Sequence, residues 1–136
     1  MITLTIPIKA VPKQSFRIGK HNYQSAPVRR FAKAVKMLAL SQTKPSDRLL
    51  LCALSVDIDF RYALPKGTPK HIKDRLASGA VIPKLTRPDI DNLCKGLLDA
   101  LSGVMWEDDA IITSLTARKV WAAKDEIVVK ISVDTT

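Results

Sequence analysis

The chain has 136 residues, 46% of them apolar, and a formal net charge of +9. That length fits one domain with one core, and that apolar content excludes wholesale disorder. No run approaches the roughly 18 consecutive apolar residues of a membrane span, and the start Met1-Ile2-Thr3-Leu4-Thr5-Ile6-Pro7 lacks the basic head and apolar run of a signal peptide.

Residues 2–9 alternate, with Ile2, Leu4, Ile6 and Ile8 on one face, and predict a strand. Residues 10–24 hold Pro12, Gly19 and scattered lysines and arginines, and read as a basic loop. Pro27 then opens a helix over 26–42, with Val28, Phe31, Val35 and Leu38 inward and Arg29, Arg30, Lys33 and Lys36 on a basic flank. Lys44-Pro45-Ser46-Asp47 breaks it. Leu50, Cys52, Leu54, Val56, Ile58, Phe60 and Tyr62 alternate as one long strand with one buried face. Cys52 and Cys94 both fall on apolar positions, so they are expected to be core thiols of a cytosolic protein.

Pro65, Gly67, Pro69, Gly79 and Pro83 make 64–86 an irregular basic insertion with one short helix near 70–78, expected to be both functional and mobile. The clearest helix covers 89–102. Ile90, Leu93, Cys94, Leu97, Leu98 and Leu101 form its apolar stripe, with Pro88 before it and Gly103 after it. Two strands, 110–121 and 126–134, follow around a turn at Ala123–Asp125. The order predicts a single α+β domain over 1–136, with a mixed or antiparallel sheet and two main helices.

The charge is unevenly spread. Lys9 to Arg48 contains ten Lys/Arg and one acid, Arg61 to Arg87 seven and one, yet six of the thirteen acids lie between Asp89 and Asp109. A basic surface suits a polyanion, and an acidic island within it calls for a divalent cation that neutralises carboxylates and bridges them to phosphate. On a helix, Asp91, Lys95 and Asp99 stack on the side opposite the apolar stripe. Asp89 would sit about 160° from Asp91 on an ideal helix, so it is placed at the helix entrance, where the backbone is not yet helical. Asp108 and Asp109 return after one reversal of the chain. Asp89, Asp91 and Asp109 are therefore expected to converge into an all-oxygen site of the kind Mg²⁺ prefers, with Mn²⁺ as a substitute. His21 and His71 are isolated and no Cys/His cluster is present, which argues against zinc. Lys95, one turn after Asp91, is placed to stabilise charge on the phosphate or orient the attacking water.

The block Arg87-Pro88-Asp89-Ile90-Asp91-Asn92-Leu93-Cys94-Lys95, followed by Asp99-Ala100-Leu101, Gly103, Trp106, Asp108-Asp109 and Ile112, resembles the RusA family of Holliday junction resolvases, common in phages and prophages. The resemblance implies a Mg²⁺-dependent endodeoxyribonuclease, a homodimer that binds four-way junctions and makes paired, symmetric nicks in recombination and repair. It places catalysis on Asp89, Asp91, Asp109 and Lys95, with Asp99, Asp108 and Asn92 in support. DNA contacts are expected from Lys13, Arg17, Lys20, Arg29, Arg30, Lys66, Lys70, Lys73, Lys84 and Arg87. Such a protein works in the bacterial cytoplasm with no membrane and no small-molecule cofactor. Two other readings fit the same residues: a non-catalytic basic nucleic-acid-binding module, and a metal-dependent nuclease for flaps or forks.

Overall fold

The computed structural model describes residues 1–13 and 25–135, together with the backbone of 17–18 and 21–22. Strand β1, Ile2–Ile6, buries Leu4 and Ile6 and stops before Pro7, short of the expected residue 9. Strands β2, Arg17–Ile18, and β3, His21–Asn22, pair antiparallel. Helix α1, Ala26–Gln42, has the expected bounds. The Ser25 hydroxyl accepts from the Val28 N–H at its start, and Phe31, Val35 and Ala39 form its buried stripe. At its other end the Gln42 side chain accepts from the Thr5 N–H at 2.9 Å and donates to the Thr5 carbonyl at 2.7 Å. One side-chain amide thus satisfies the open edge of β1 as a neighbouring strand would.

Strand β4 runs Leu54–Ala63, so the strand expected from residue 50 begins late. Leu49 has a φ of 52° and turns the chain away from the sheet. The Leu50 N–H bonds to Met105 instead of a strand, and Cys52 is exposed, which corrects its assignment to the core. Cys94 is half-buried and packs against the core. Helix α2, Lys70–Ala77, and helix α3, Ile90–Leu101, lie between β4 and its parallel partner β5, Ile112–Ala122. Strand β6, Glu126–Val133, completes a four-stranded mixed sheet in the order β1-β6-β4-β5, with only β4 and β5 parallel. The protein is α+β, with the expected short helix present as α2.

Helices α1 and α3 pack together, α1 also touching β1 and α3 touching β5. Leu54, Val56, Ile58, Phe60 and Tyr62 of β4 share the core with Leu93, Leu97, Leu101, Met105 and Trp106. On the alternate positions of β4, Asp59 receives a two-pronged bond from Arg118 at 3.0 Å on each arm, and Arg61 reaches Glu126 at 2.8 Å. Burial alone would raise the Asp59 pKa, but Arg118 and Arg61 outweigh it and hold the carboxyl below the usual range. The Lys36 ammonium, expected on the basic flank, donates to the carbonyls of Ala100 at 2.7 Å and Ser102 at 3.3 Å. It caps the C-terminal end of α3, where the helix dipole favours a cation.

Candidate metal and DNA site

Helix α3 fixes the site through its two faces. Leu93, Gly96, Leu97, Ala100 and Leu101 are buried, which leaves Asp91 and Lys95 exposed on the other side. Ile90, expected within the apolar stripe, is 37% exposed because the first turn projects beyond the core. Asp89 is the N-cap residue, with extended φ −71° and ψ 140°, as its spacing from Asp91 required. Its carbonyl accepts from the Leu93 N–H at 3.2 Å and begins the helix, yet its side chain makes no capping bond. Capping therefore does not account for this carboxylate.

Asp89 and Asp91 both border a groove of about 590 Å³ between α3 and β5, together with Lys84, Arg118 and Lys119. On its other side Asp89 shares a smaller concavity with Arg87 and Asn92. Two exposed carboxylates on one open groove are hard oxygen donors.

Asp109 does not line that groove. Trp106 is fully buried, and its indole N–H donates to Asp109 Oδ1 at 2.5 Å, fixing this carboxylate at the start of a short 3-10 turn. Burial raises the Asp109 pKa. The Trp106 bond and Lys13 oppose the shift, while the charges of Asp99 and Asp108 add to it. The Asp108 side chain caps the same turn by accepting from the Ala110 N–H at 3.0 Å. The expected three-acid convergence is thus not seen: among the described residues, no group of three His, Cys, Asp or Glu side chains is placed to hold a metal ion. Asp89 and Asp91 share the groove, while Asp99 and Asp108 are the acids whose charges bear on Asp109.

Several expected DNA contacts have other employment. Lys13 is ion-paired with Asp99, and its backbone N–H donates to the Asn92 carbonyl at 3.1 Å. Lys84 is 8% exposed, too buried to meet DNA directly. Its ammonium donates to the Thr86 carbonyl, the Thr86 hydroxyl and the Arg87 carbonyl. Arg29, Arg30, Lys66, Lys70, Lys73 and Arg87 are exposed, as a phosphate contact requires. The side chain of Arg17 and all of Lys20 lie outside the described residues, as does the side chain of His21.

Two residues escaped the sequence reading. A Cβ at Gly96 would meet the Val11 carbonyl at 3.0 Å and the Lys13 N–H at 3.3 Å, so this glycine lets residues 11–13 cross α3. A lone glycine inside so periodic a helix was the available signal. Lys119, on β5, donates to the carbonyls of Thr86 at 2.7 Å and Pro88 at 2.6 Å. Nothing local in the sequence ties it to a loop some thirty residues earlier.

A fold of this kind does not by itself give a function, and the comparisons with known proteins narrow it. The model of the RusA endodeoxyribonuclease family matches residues 7–132, and the chain belongs to that family. It is a nuclease. The chain is also 28% identical over 122 residues to the uncharacterised protein YqaN of Bacillus subtilis (strain 168), covering 88% of this chain and 84% of that protein.

Proposed function

We propose that this protein is a Mg²⁺-dependent endonuclease that resolves four-way DNA junctions by paired, symmetric nicks, acting as a homodimer. The observation that carries the reading is the pair Asp89 and Asp91, exposed on one groove with Asp89 relieved of capping. The donor set fits the metal. Mg²⁺ is bound through one or two carboxylates with water and substrate phosphate completing its shell, so two acids on an open groove suffice. When bound there, the ion would polarise the scissile phosphate and lower the pKa of the attacking water.

The remaining chemistry falls to the chain itself. Asp89 and Asp91 would hold the cation. Lys95, one helical turn beyond Asp91, stabilises the charge that develops on phosphorus. Asp109 stays the third acid of this reading on the strength of the family pattern, with Asp99 and Lys13 fixing its surroundings. Arg29, Arg30, Lys66, Lys70, Lys73 and Arg87 supply phosphate contacts. A four-way junction has near two-fold symmetry, and a two-fold dimer would present two equivalent sites to it.

The test compares wild type with Asp91→Asn on a synthetic four-way junction, with and without Mg²⁺. The reading predicts cutting by the wild type only with the ion. Asp91→Asn should lose roughly 100-fold or more in rate, several kcal/mol of charge stabilisation, while still binding the junction. A wild type that binds but never nicks would make this a binding module. Lys95→Ala should lower turnover and leave junction affinity within a few-fold; equal losses in both would make Lys95 a binding residue.

A further inference from the structure

The segment that leads into Asp89 is held in an unusual way. Residues 82–84 are already secured to β5 by backbone bonds, Lys84 N–H to the Lys119 carbonyl at 3.0 Å and Trp121 N–H to the Ile82 carbonyl at 2.9 Å. Beyond them, residues 86–88 offer three successive carbonyls, and two ammonium groups take all three. Lys84 holds those of Thr86 and Arg87, and Lys119 holds those of Thr86 and Pro88.

With the Thr86 hydroxyl added at 2.5 Å, Lys84 has a partner for each of its three N–H donors and none left for a phosphate. Its ammonium also lies 5.1 Å from the ring centre of Tyr62 and 4.9 Å from that of Trp121. Burying a charge is costly unless it is fully bonded, so this arrangement must hold something the backbone ladder does not. What it holds is the peptide immediately before Asp89. The Asp89 backbone is then fixed from both sides, upstream by Lys119 on the Pro88 carbonyl and downstream by its own carbonyl on Leu93.

We propose that Lys84 and Lys119 form a two-ammonium clamp on residues 86–88 that aims the Asp89 carboxylate into the groove, which makes both of them positioning residues for the cation site. The inference rests on the Mg²⁺-dependent reading above. Burial, with the charges of Lys119 and Lys9, also lowers the Lys84 pKa, in keeping with a group held for its geometry.

The test titrates Mn²⁺ into DNA-free protein, following the free ion by electron paramagnetic resonance, for wild type, Lys84→Met, Lys119→Met and Lys119→Arg. Junction affinity in EDTA and the melting temperature are measured on the same samples. Loss of a direct outer partner of a metal ligand costs about 10–100-fold in affinity; Lys119 acts one peptide away, so Lys119→Met should weaken Mn²⁺ binding by about 10-fold, the lower end of that range. Junction affinity should stay within a few-fold, and Lys119→Arg should recover part of the loss. If Lys84→Met does not fold, the half-buried Lys119 carries the test. A folded Lys119→Met that binds Mn²⁺ like wild type overturns the clamp, and so does one that loses only junction affinity. A wild type that neither binds Mn²⁺ nor nicks overturns the nuclease reading and the clamp together.

Discussion

Asp109 shows how one residue can be costly to the fold and still be kept. Its folded-state pKa lies above the unfolded one, first through burial and then through Asp99 and Asp108. The carboxyl therefore binds its proton more tightly in the folded protein. The stability this brings is complete below the unfolded value, about 4, and is lost as pH rises through the folded value. At neutral pH the ionised Asp109 is a burden. Asp109→Asn can still accept the Trp106 N–H but carries no charge. It should melt higher than wild type at pH 7, with the difference shrinking toward pH 4, while nicking is lost. Equal melting temperatures at pH 7 would mean that burial and the like charges exert no strain there. Asp89 is the other case at this scale: it stands at a helix start, where an aspartate commonly caps, and its side chain makes no such bond.

At the scale of elements, helix α3 and its strap are coupled at Gly96. Alanine is worth about 1 kcal/mol over glycine in a helix interior. Here the added methyl would meet backbone at 3.0 Å and 3.3 Å, neither of which can swing aside. Overpacking of this kind costs about 1–3 kcal/mol, so Gly96→Ala should be neutral to destabilising in urea unfolding. A gain of the full propensity value would show that residues 11–13 do not pack where the structure has them. Both main helices were legible because apolar residues at helical spacing and a proline at the entrance mark each one. The start of β4 was not: Leu50 and Cys52 continue the alternation, but alternation cannot show that the backbone at Leu49 has already turned. Asp89 at the entrance of α3 was legible from helical geometry. The bond that holds Asp109 was not, since it depends on where the Trp106 ring is buried, a matter of tertiary packing. Lys84 and Lys13 illustrate the same limit, because charge can be counted in a sequence while its burial and its partners cannot.

Across the whole molecule, a charge of +9 describes a surface suited to nucleic acid, but only part of it is free to act there. Junction affinity should fall steeply with salt, and replacing Arg30 or Lys73 by alanine should reduce the slope of log affinity against log salt by about one unit each. Lys36→Ala should instead lower stability and leave that slope nearly unchanged, since Lys36 is bonded to the end of α3. Equal slopes for all three variants would show that the exposed set and the structural set have been wrongly divided.

The most direct measurement maps the nicks made by the wild type with Mg²⁺ on end-labelled four-way junction, flap and duplex DNA run side by side. The account predicts paired cuts at symmetry-related positions in opposing junction strands, with flap and duplex largely intact. Cutting of duplex or flap as readily as the junction, or single unpaired nicks, would contradict it.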